Sequence, residues 1–282
     1  MSEWTVLWEN IAFGESARWF EGRLWFSDWG AQEVLAVAPD GVGEVVVRVP
    51  FPSMPMCIDR LPDGRLLIVS SSEARVVTLE ADGSLLEYAD LGAVGDGFNE
   101  IVVDGRGNAY VNGIGFDLSA GQAFRPGFIA VIATDGSVRR VADDVAFPNG
   151  MAVTPDGSTL IVAESYGNRL TAFDIAVDGG LSNRRVWADL GDGVPDGICV
   201  DAEGAVWYAD VPNERCVRVR EGGEVLRTVE LDRGCFSCAL GGPDGRTLFV
   251  VATEWHGMAD ATEGPRTGRL VAVPVSVPAV DR

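Results

Sequence analysis

The sequence predicts an all-β fold: a single six-bladed β-propeller spanning 1–282, with four-stranded antiparallel blades and a ring closed by the N-terminal strand. Three observations predict it. A short motif recurs six times along the chain. No stretch sustains the 3.6-residue period of an amphipathic helix. Glycine turns punctuate the whole chain rather than one part of it, as a ring of repeated blades requires.

The motif is a turn ending in Gly followed by a β-rich run. Its copies read WFEGRLWFSD, LPDGRLLIVS, DGRGNAYVNG, TPDGSTLIVA, DAEGAVWYAD and GPDGRTLFVV. Their turn glycines, Gly22, Gly64, Gly107, Gly157, Gly204 and Gly245, lie 42, 43, 50, 47 and 41 residues apart. A second turn follows in five units, at Gly41, Gly83, Gly136, Gly179 and Gly223. Asp-Gly between β-rich runs signals a hairpin, and the expected turn is type I′, with positive φ at both central residues. Each unit then reads strand, turn, strand, loop, strand, turn, strand. A unit of about 45 residues cannot bury both of its faces alone, so the units stack into a ring. The sixth unit lacks a second Asp-Gly and ends in GRLVAVPVSVP, while WTVLWEN precedes the first unit. That N-terminal run is expected to complete the last blade.

Composition narrows the chemistry. The chain carries 42 acidic and 22 basic residues, a net charge of −20; every basic residue is Arg, and His256 is the one histidine. Without Lys there is no Schiff base and no P-loop lysine. One His excludes a multi-histidine zinc site. The acid excess argues against nucleic acid and anionic membrane surfaces as partners. No apolar run approaches the roughly 18 residues of a membrane span, and the start, MSEWTVLWEN, has no basic n-region. The five cysteines, Cys57, Cys199, Cys216, Cys235 and Cys238, read as free buried thiols of a reducing, cytoplasmic setting. A monomer or small homo-oligomer is expected. His256 reads as a loop or surface residue; Trp8, Trp19, Trp25, Trp29, Trp187 and Trp207 read as inter-blade core.

Aligning the units on the first turn glycine exposes a constellation. Eight positions back stand Met56, Asn99, Asn149, Asp196 and Ser237; in the first unit, one residue shorter there, seven positions back stands Glu15. Two positions after the aligned residue comes Ile58, Ile101, Met151, Ile198 or Ala239, so each aligned residue begins an otherwise buried strand. Equivalent positions in a ring face one axis. Five of the six carry a side-chain oxygen, and two are carboxylates. Neighbouring carboxylates repel and are costly to bury without a cation. Glu15, Asn149 and Asp196 therefore read as an all-oxygen set for one divalent ion, Ca²⁺ first, then Mg²⁺, Mn²⁺ or Zn²⁺. The competing reading is a water-filled channel lined by polar strand starts.

The segments GESARWFEGRLWFSDW, FPNGMAVTPDGSTLIVAES, VPDGICVDAEGAVWYAD and SCALGGPDGRTLFVVAT resemble the SMP-30/gluconolactonase/luciferin-regenerating-enzyme family over nearly the whole chain. The resemblance implies a six-bladed propeller with one catalytic divalent metal near the axis. It implies Glu15, Asn149 and Asp196 as the ligands, the same three that the repeat alignment selects. Asn99, in GFNEIVVDGRGN, matches the family's R-x-N-D-G segment, which implies an Asn facing the metal's water or the substrate. Two departures stand out: Gly97 replaces the Arg of sugar-lactone members, and Glu100 replaces the Asp. A lost Arg removes a fork of donors suited to sugar hydroxyls, which puts gluconolactone itself in doubt.

The activity expected is metal-dependent hydrolysis of a lactone or related ester, with a small-molecule substrate as partner. Asp196 would serve as ligand and general base, and Asn99 would orient water or substrate. The 113–128 insertion, with Phe116, Asp117, Phe124 and Arg125, either shapes the pocket at the axial mouth or is a passive surface loop. On the first reading Phe116, Arg125, Glu100 and Ser237 join Asn99 in binding substrate; Ser237 alternatively satisfies a backbone group. A phosphotriesterase-type hydrolase with the same site, and a non-hydrolytic metabolite-binding or biosynthetic propeller with a structural metal, are the alternatives.

Overall fold

A computed structural model describes residues 4–51, 53–118, 120–257 and 264–280. The first strand, β1 (Thr5–Ile11), precedes blade 1, which comprises β2 (Gly14–Phe20), β3 (Arg23–Asp28), β4 (Glu33–Val37) and β5 (Gly43–Arg48). Blade 2 is β6 (Ile58–Arg60), β7 (Leu66–Ser70), β8 (Arg75–Leu79) and β9 (Leu85–Asp90). Blade 3 is β10 (Phe98–Val103), β11 (Ala109–Gly113), β12 (Gly127–Ile132) and β13 (Val138–Val145). Blade 4 is β14 (Pro148–Val153), β15 (Thr159–Glu164), β16 (Arg169–Ile175) and β17 (Leu181–Asp189). Blade 5 is β18 (Pro195–Val200), β19 (Val206–Asp210), β20 (Arg215–Val219) and β21 (Val225–Glu230). Blade 6 is β22 (Gly234–Gly241), β23 (Thr247–Thr253) and β24 (Gly268–Pro274), completed by β1. One 3₁₀ turn, Ser165–Gly167, is the helical element among the described residues.

The expected closure is therefore present. β1 pairs antiparallel with β24, with Thr5 opposite Ala272 and Trp8 opposite Leu270. The two ends of the chain share one sheet, so the ring has no open seam.

The predicted turn glycines all have positive φ. The turn at Gly22 is the expected type I′, with Glu21 at φ 53° and Gly22 at φ 71° between the paired Phe20 and Arg23, but the second turns of the blades take another form. In the turn at 38–41, Gly41 N–H donates to Ala38 O at 2.9 Å and Ala38 N–H donates to Val42 O at 2.8 Å. The same pair of bonds recurs around Gly64, Gly83, Gly136 and Gly223. This is a three-residue loop: around Gly41, Gly64, Gly83 and Gly136 a type I turn closed by a left-handed glycine, and around Gly223 a turn in which Gly222 also has positive φ. Around Gly41 and Gly64 a Pro-Asp-Gly string accounts for it; Gly83, Gly136 and Gly223 reach the same bonds without a proline. Pro39, Pro62 and Pro155 fix a negative φ where type I′ needs a positive one. The Asp then accepts from the backbone two residues on, as Asp40, Asp82 and Asp135 do from Val42, Ser84 and Ser137.

Burial runs from the axis outward. Every residue of the inner strand β22 is buried, whereas the outer strand β21 is half open to solvent. Side chains from facing blades fill the space between sheets, including Trp25, Trp29, Trp187 and Trp207, as expected for inter-blade core. Trp8 and Trp19 are partly buried against the core between blades 1 and 6, and Trp19 stacks on Phe249 at 5.1 Å. All five cysteines are free; Cys199 on β18 and Cys238 on β22 bring their sulfurs to 3.9 Å across two blades.

Leu270 is fully buried and sits opposite Trp8 in the closing sheet. Leu270→Ala is expected to lower the unfolding free energy by about 2–5 kcal/mol in guanidinium denaturation.

Candidate active site on the propeller axis

A β-bulge sets two residues against one and re-aims a side chain. Five inner strands carry a register shift at their start: between Glu15 and Arg18, Phe98 and Ile101, Pro148 and Met151, Pro195 and Ile198, and Cys235 and Ser237. These shifts include or bound all five aligned oxygen-bearing residues. β6 has none, and its aligned residue is the fully buried Met56. Glycine completes the device on two strands. A Cβ on Gly150 would collide with the Asp196 carbonyl, and one on Gly197 would collide with Ser237. Asn149-Gly150 and Asp196-Gly197 thus let β14, β18 and β22 close in on the axis.

The residues meet there. Asn99 Nδ2 donates to Asn149 Oδ1 at 3.2 Å and to Pro148 O at 3.2 Å. Asn149 Nδ2 donates to Ser165 Oγ at 3.3 Å, and Ser165 Oγ donates to Pro195 O at 2.7 Å. Asn112 holds the Asn149 backbone, donating to its carbonyl at 2.7 Å. A line of bonds therefore runs from blade 3 through blade 4 to the residue before Asp196.

Among the described residues neither Glu15 nor Asp196 forms an ion pair; Arg18 acts on Glu15 only weakly, as the last of the influences on its carboxyl. Both are over nine-tenths buried. Burial raises the Glu15 carboxyl well above its ordinary range, and Asp196 and Glu100 add to the rise. Burial likewise raises Asp196 well above its range, with Glu100 and then Cys238 adding and Asn149 opposing. Asp196 Oδ1 is buried with no hydrogen-bond partner among the described residues. A buried, unpartnered carboxylate oxygen beside a second carboxylate and two amides is a donor set with a charge to neutralise. Glu15, Asn149 and Asp196 fit a hard divalent cation on those grounds. Among the described residues no three His, Cys, Asp or Glu side chains form a metal-binding group; the third member of this set is an amide.

Glu100 has a different neighbour. Its Oε1 accepts from Arg18 at 3.1 Å, from Ser16 Oγ at 3.1 Å and from Ile101 N–H at 2.8 Å. Burial works against the Arg18 charge, but Glu100 and Asp59 outweigh it and hold the guanidinium protonated. Burial raises the Glu100 carboxyl, and Arg18 opposes that rise. Arg18 also donates to Ile101 O at 2.6 Å. Its sequence neighbours gave no sign of an interior role, because the bulge that displaces it by one register step is invisible in the motif.

The remaining candidates separate. Ser237 Oγ accepts Ala17 N–H at 2.9 Å, the backbone-satisfying arrangement. Phe116 is buried at the mouth among Phe124, Phe147 and Tyr166, with ring centroids 5.7, 5.8 and 6.1 Å away. Arg125 is exposed and donates to Gln122 at 3.2 Å. His256 is exposed, 4.0 Å from Glu254.

Three further carboxylates support the site. Asp28 accepts from the Ala12 and Phe13 amides, both at 2.9 Å; Glu164 from Ala146 at 2.7 Å; Asp210 from Val194 at 3.2 Å. Each closes the second strand of its blade and grips the loop leading into the inner strand. Those three blades are the ones that supply Glu15, Asn149 and Asp196. Burial disfavours charge on Glu164, yet Arg169, Thr171 and the Ala146 amide pull its pKa below the usual range. The signal was present in the repeat: an acid six or seven positions after the turn glycine in WFSD, IVAE and WYAD, absent from the other units.

Comparison with known proteins places the whole chain among related propellers. Residues 13–254 match the family described as SMP-30/Gluconolactonase/LRE-like region. A regucalcin of Xenopus laevis is 30% identical over 258 residues, covering 88% of this chain and 85% of that protein. The pentonolactonase XacC of Haloferax volcanii is 30% identical over 219 residues, covering 70% of this chain and 72% of that one. A solved structure described as a calcium-binding protein, regucalcin, from Agrobacterium tumefaciens superposes with a TM-score of 0.79 at 23% identity, covering 98% of this chain and 94% of that chain.

Two outcomes follow from the charges. In metal-free protein the raised carboxyls bind more protons folded than unfolded. Their stabilising contribution is full below about pH 4 and is lost as pH rises toward their raised pKa values. Glu15→Gln is expected to raise the thermal midpoint of chelator-treated protein at pH 8, to leave it unchanged near pH 4, and to cut the stabilisation given by added Ca²⁺. Arg18→Met leaves Glu100 buried beside no cation and is expected to cost about 3–5 kcal/mol in guanidinium denaturation. Combining it with Glu100→Gln recovers most of that loss.

Proposed function

From the premise that this chain belongs to the SMP-30/gluconolactonase/LRE-like family, matched over residues 13–254, we propose that it hydrolyses a lactone or related ester at the axial site. The observation that carries the reading is the Asp196 carboxylate, buried beside Glu15 with one oxygen that has no hydrogen-bond partner. The naming of the Haloferax relative as a pentonolactonase supports the lactone class. Glu15, Asn149 and Asp196 would hold one divalent cation, Ca²⁺ first among hard ions for an all-oxygen set. That cation, when bound, supplies Lewis-acid polarisation of the substrate carbonyl.

The protein's own groups do the rest. Asp196 accepts a proton from water as the water oxygen bonds to the carbonyl carbon. Asn99, anchored on Pro148 O and Asn149, presents its amide to orient water or substrate. The ring C–O bond then breaks, and the proton on Asp196 passes to the departing alkoxide. One lactone and one water become one hydroxy acid, and no covalent nucleophile is used.

The partner on this reading is a small molecule, and the −20 charge supports the absence of nucleic acid. Free cysteines support a reducing compartment such as the cytoplasm; among the described residues no helix is long and apolar enough to cross a membrane.

The test is hydrolysis of a lactone panel followed by pH-stat. Chelation is expected to abolish turnover and Ca²⁺ to restore it; Asp196→Asn is expected to lower kcat by about 100-fold or more. Full activity after chelation, or an unchanged rate in Asp196→Asn, overturns the reading.

A further inference from the structure

Each inner strand begins beside the end of its blade's second strand, as Gly14 lies opposite Asp28, Phe98 opposite Gly113, Pro148 opposite Glu164 and Gly234 opposite Thr253. The loops that follow the second strands therefore rim the end of the axis where Glu15, Asn149 and Asp196 sit. Aromatic rings collect on two opposite arcs of that rim. On the arc of blades 3 and 4, Phe116 and Phe124 from the 113–128 insertion pack with Phe147 and Tyr166. Phe147 lies 4.7 Å from Tyr166, and Phe124 lies 5.5 Å from it. Phe147 stands two residues before Asn149, and Tyr166 one residue after Ser165. On the arc of blades 6 and 1, Trp255 stacks on Phe13 at 5.8 Å and meets Phe236 at 5.3 Å.

Three of these rings are left in solvent. Tyr166 is 51% exposed, Phe124 46% and Trp255 38%. Rings grouped around a buried polar centre and still exposed are the signature of a binding surface rather than of core. The residues just before the inner strands point the same way. They are Phe13, Cys57, Gly97, Phe147, Val194 and Arg233. Only Arg233 is charged, and its guanidinium is engaged by Asp232 and the Thr267 carbonyl. A site built for a polyhydroxylated ring needs free side-chain donors and acceptors at its mouth; these positions offer rings and aliphatic groups.

We infer that the site selects lactones carrying an aromatic or bulky apolar substituent over polyhydroxylated sugar lactones, with Tyr166, Phe124 and Trp255 gripping that substituent. The inference rests on the hydrolase reading above and narrows its substrate. The substituent lies against the rim while the lactone carbonyl reaches down to Asp196 and Asn99. Burying the exposed rings against it supplies the selectivity.

The experiment compares kcat/KM for dihydrocoumarin, γ-butyrolactone and glucono-1,5-lactone in Ca²⁺-loaded protein. Dihydrocoumarin is expected to exceed glucono-1,5-lactone by at least about tenfold. Tyr166→Ala is expected to lower the dihydrocoumarin-to-γ-butyrolactone ratio about tenfold, chiefly through KM for dihydrocoumarin. Val42→Ala, an exposed change in a turn at the opposite end of the axis, is expected to leave that ratio unchanged. Preference for glucono-1,5-lactone, or an equal loss on both unsubstituted and aromatic lactones in Tyr166→Ala, overturns the inference and leaves the hydrolase reading standing. If no lactone turns over, the hydrolase reading fails. The rim is then read by titrating 3,4-dihydro-2(1H)-quinolinone, the lactam counterpart of dihydrocoumarin, against Trp fluorescence. Saturable binding weakened by Tyr166→Ala supports the aromatic site, and no binding overturns it.

Discussion

Two carboxylates are buried on the axis with no ion-pair partner among the described residues, and the surrounding structure is arranged to keep them there. Each alone raises the cost of folding at neutral pH. A guanidinium is close at hand, since Arg18 lies three residues beyond Glu15 in the same strand. It is turned instead to Glu100, Asp59 and the Ile101 carbonyl. That pairing satisfies the third acid of the axis and leaves Glu15 and Asp196 open to something from outside. The bulges aim them, and the paired glycines let the inner strands approach. Asp28, Glu164 and Asp210 grip the loops that lead into those strands. Position, not flexibility, is what this part of the molecule supplies.

The acid excess acquires a structure on the same view. Some acids close the outer turns by accepting backbone amides two residues on. Others brace the lead-in loops from inside. Many of the rest meet arginines across neighbouring strands, as Arg218 meets Asp201 and Glu203, and Arg215 meets Asp210 and Asp192. A planar guanidinium serves two carboxylates at once, which suits a chain whose cations are all Arg.

The fold was legible because its turns are repeated chemistry. Gly22 and Gly41, and their counterparts in later units, mark where each blade bends, and the spare strand at the N-terminus had a vacancy to fill in blade 6. Glu15, Asn99, Asn149 and Asp196 were legible for the same reason, as one position seen in several copies. What was hidden lay outside the repeat. At Gly41 and Gly64 a proline that the Asp-Gly signal overlooks excludes the type I′ turn. The role of Arg18 depends on a bulge that no spacing announces. Ser237 Oγ accepts a neighbouring backbone amide, a bond that its place in the alignment does not announce. The aromatic rim is drawn from loops that differ blade by blade, so no second copy of Tyr166 or Trp255 exists to draw attention to either.

Ring closure also ties the axial site to both halves of the fold. The Ala17 amide, two residues after Glu15, is held by Ser237 from the far end of the chain. β1 cannot find its partner until β24 exists, so closing the ring rests on a contact between strands far apart in sequence. Glu15 has its full burial only in the closed ring, where β22 packs against β2. The closure that desolvates this carboxylate is thus the same one that buries the apolar seam between blades 6 and 1.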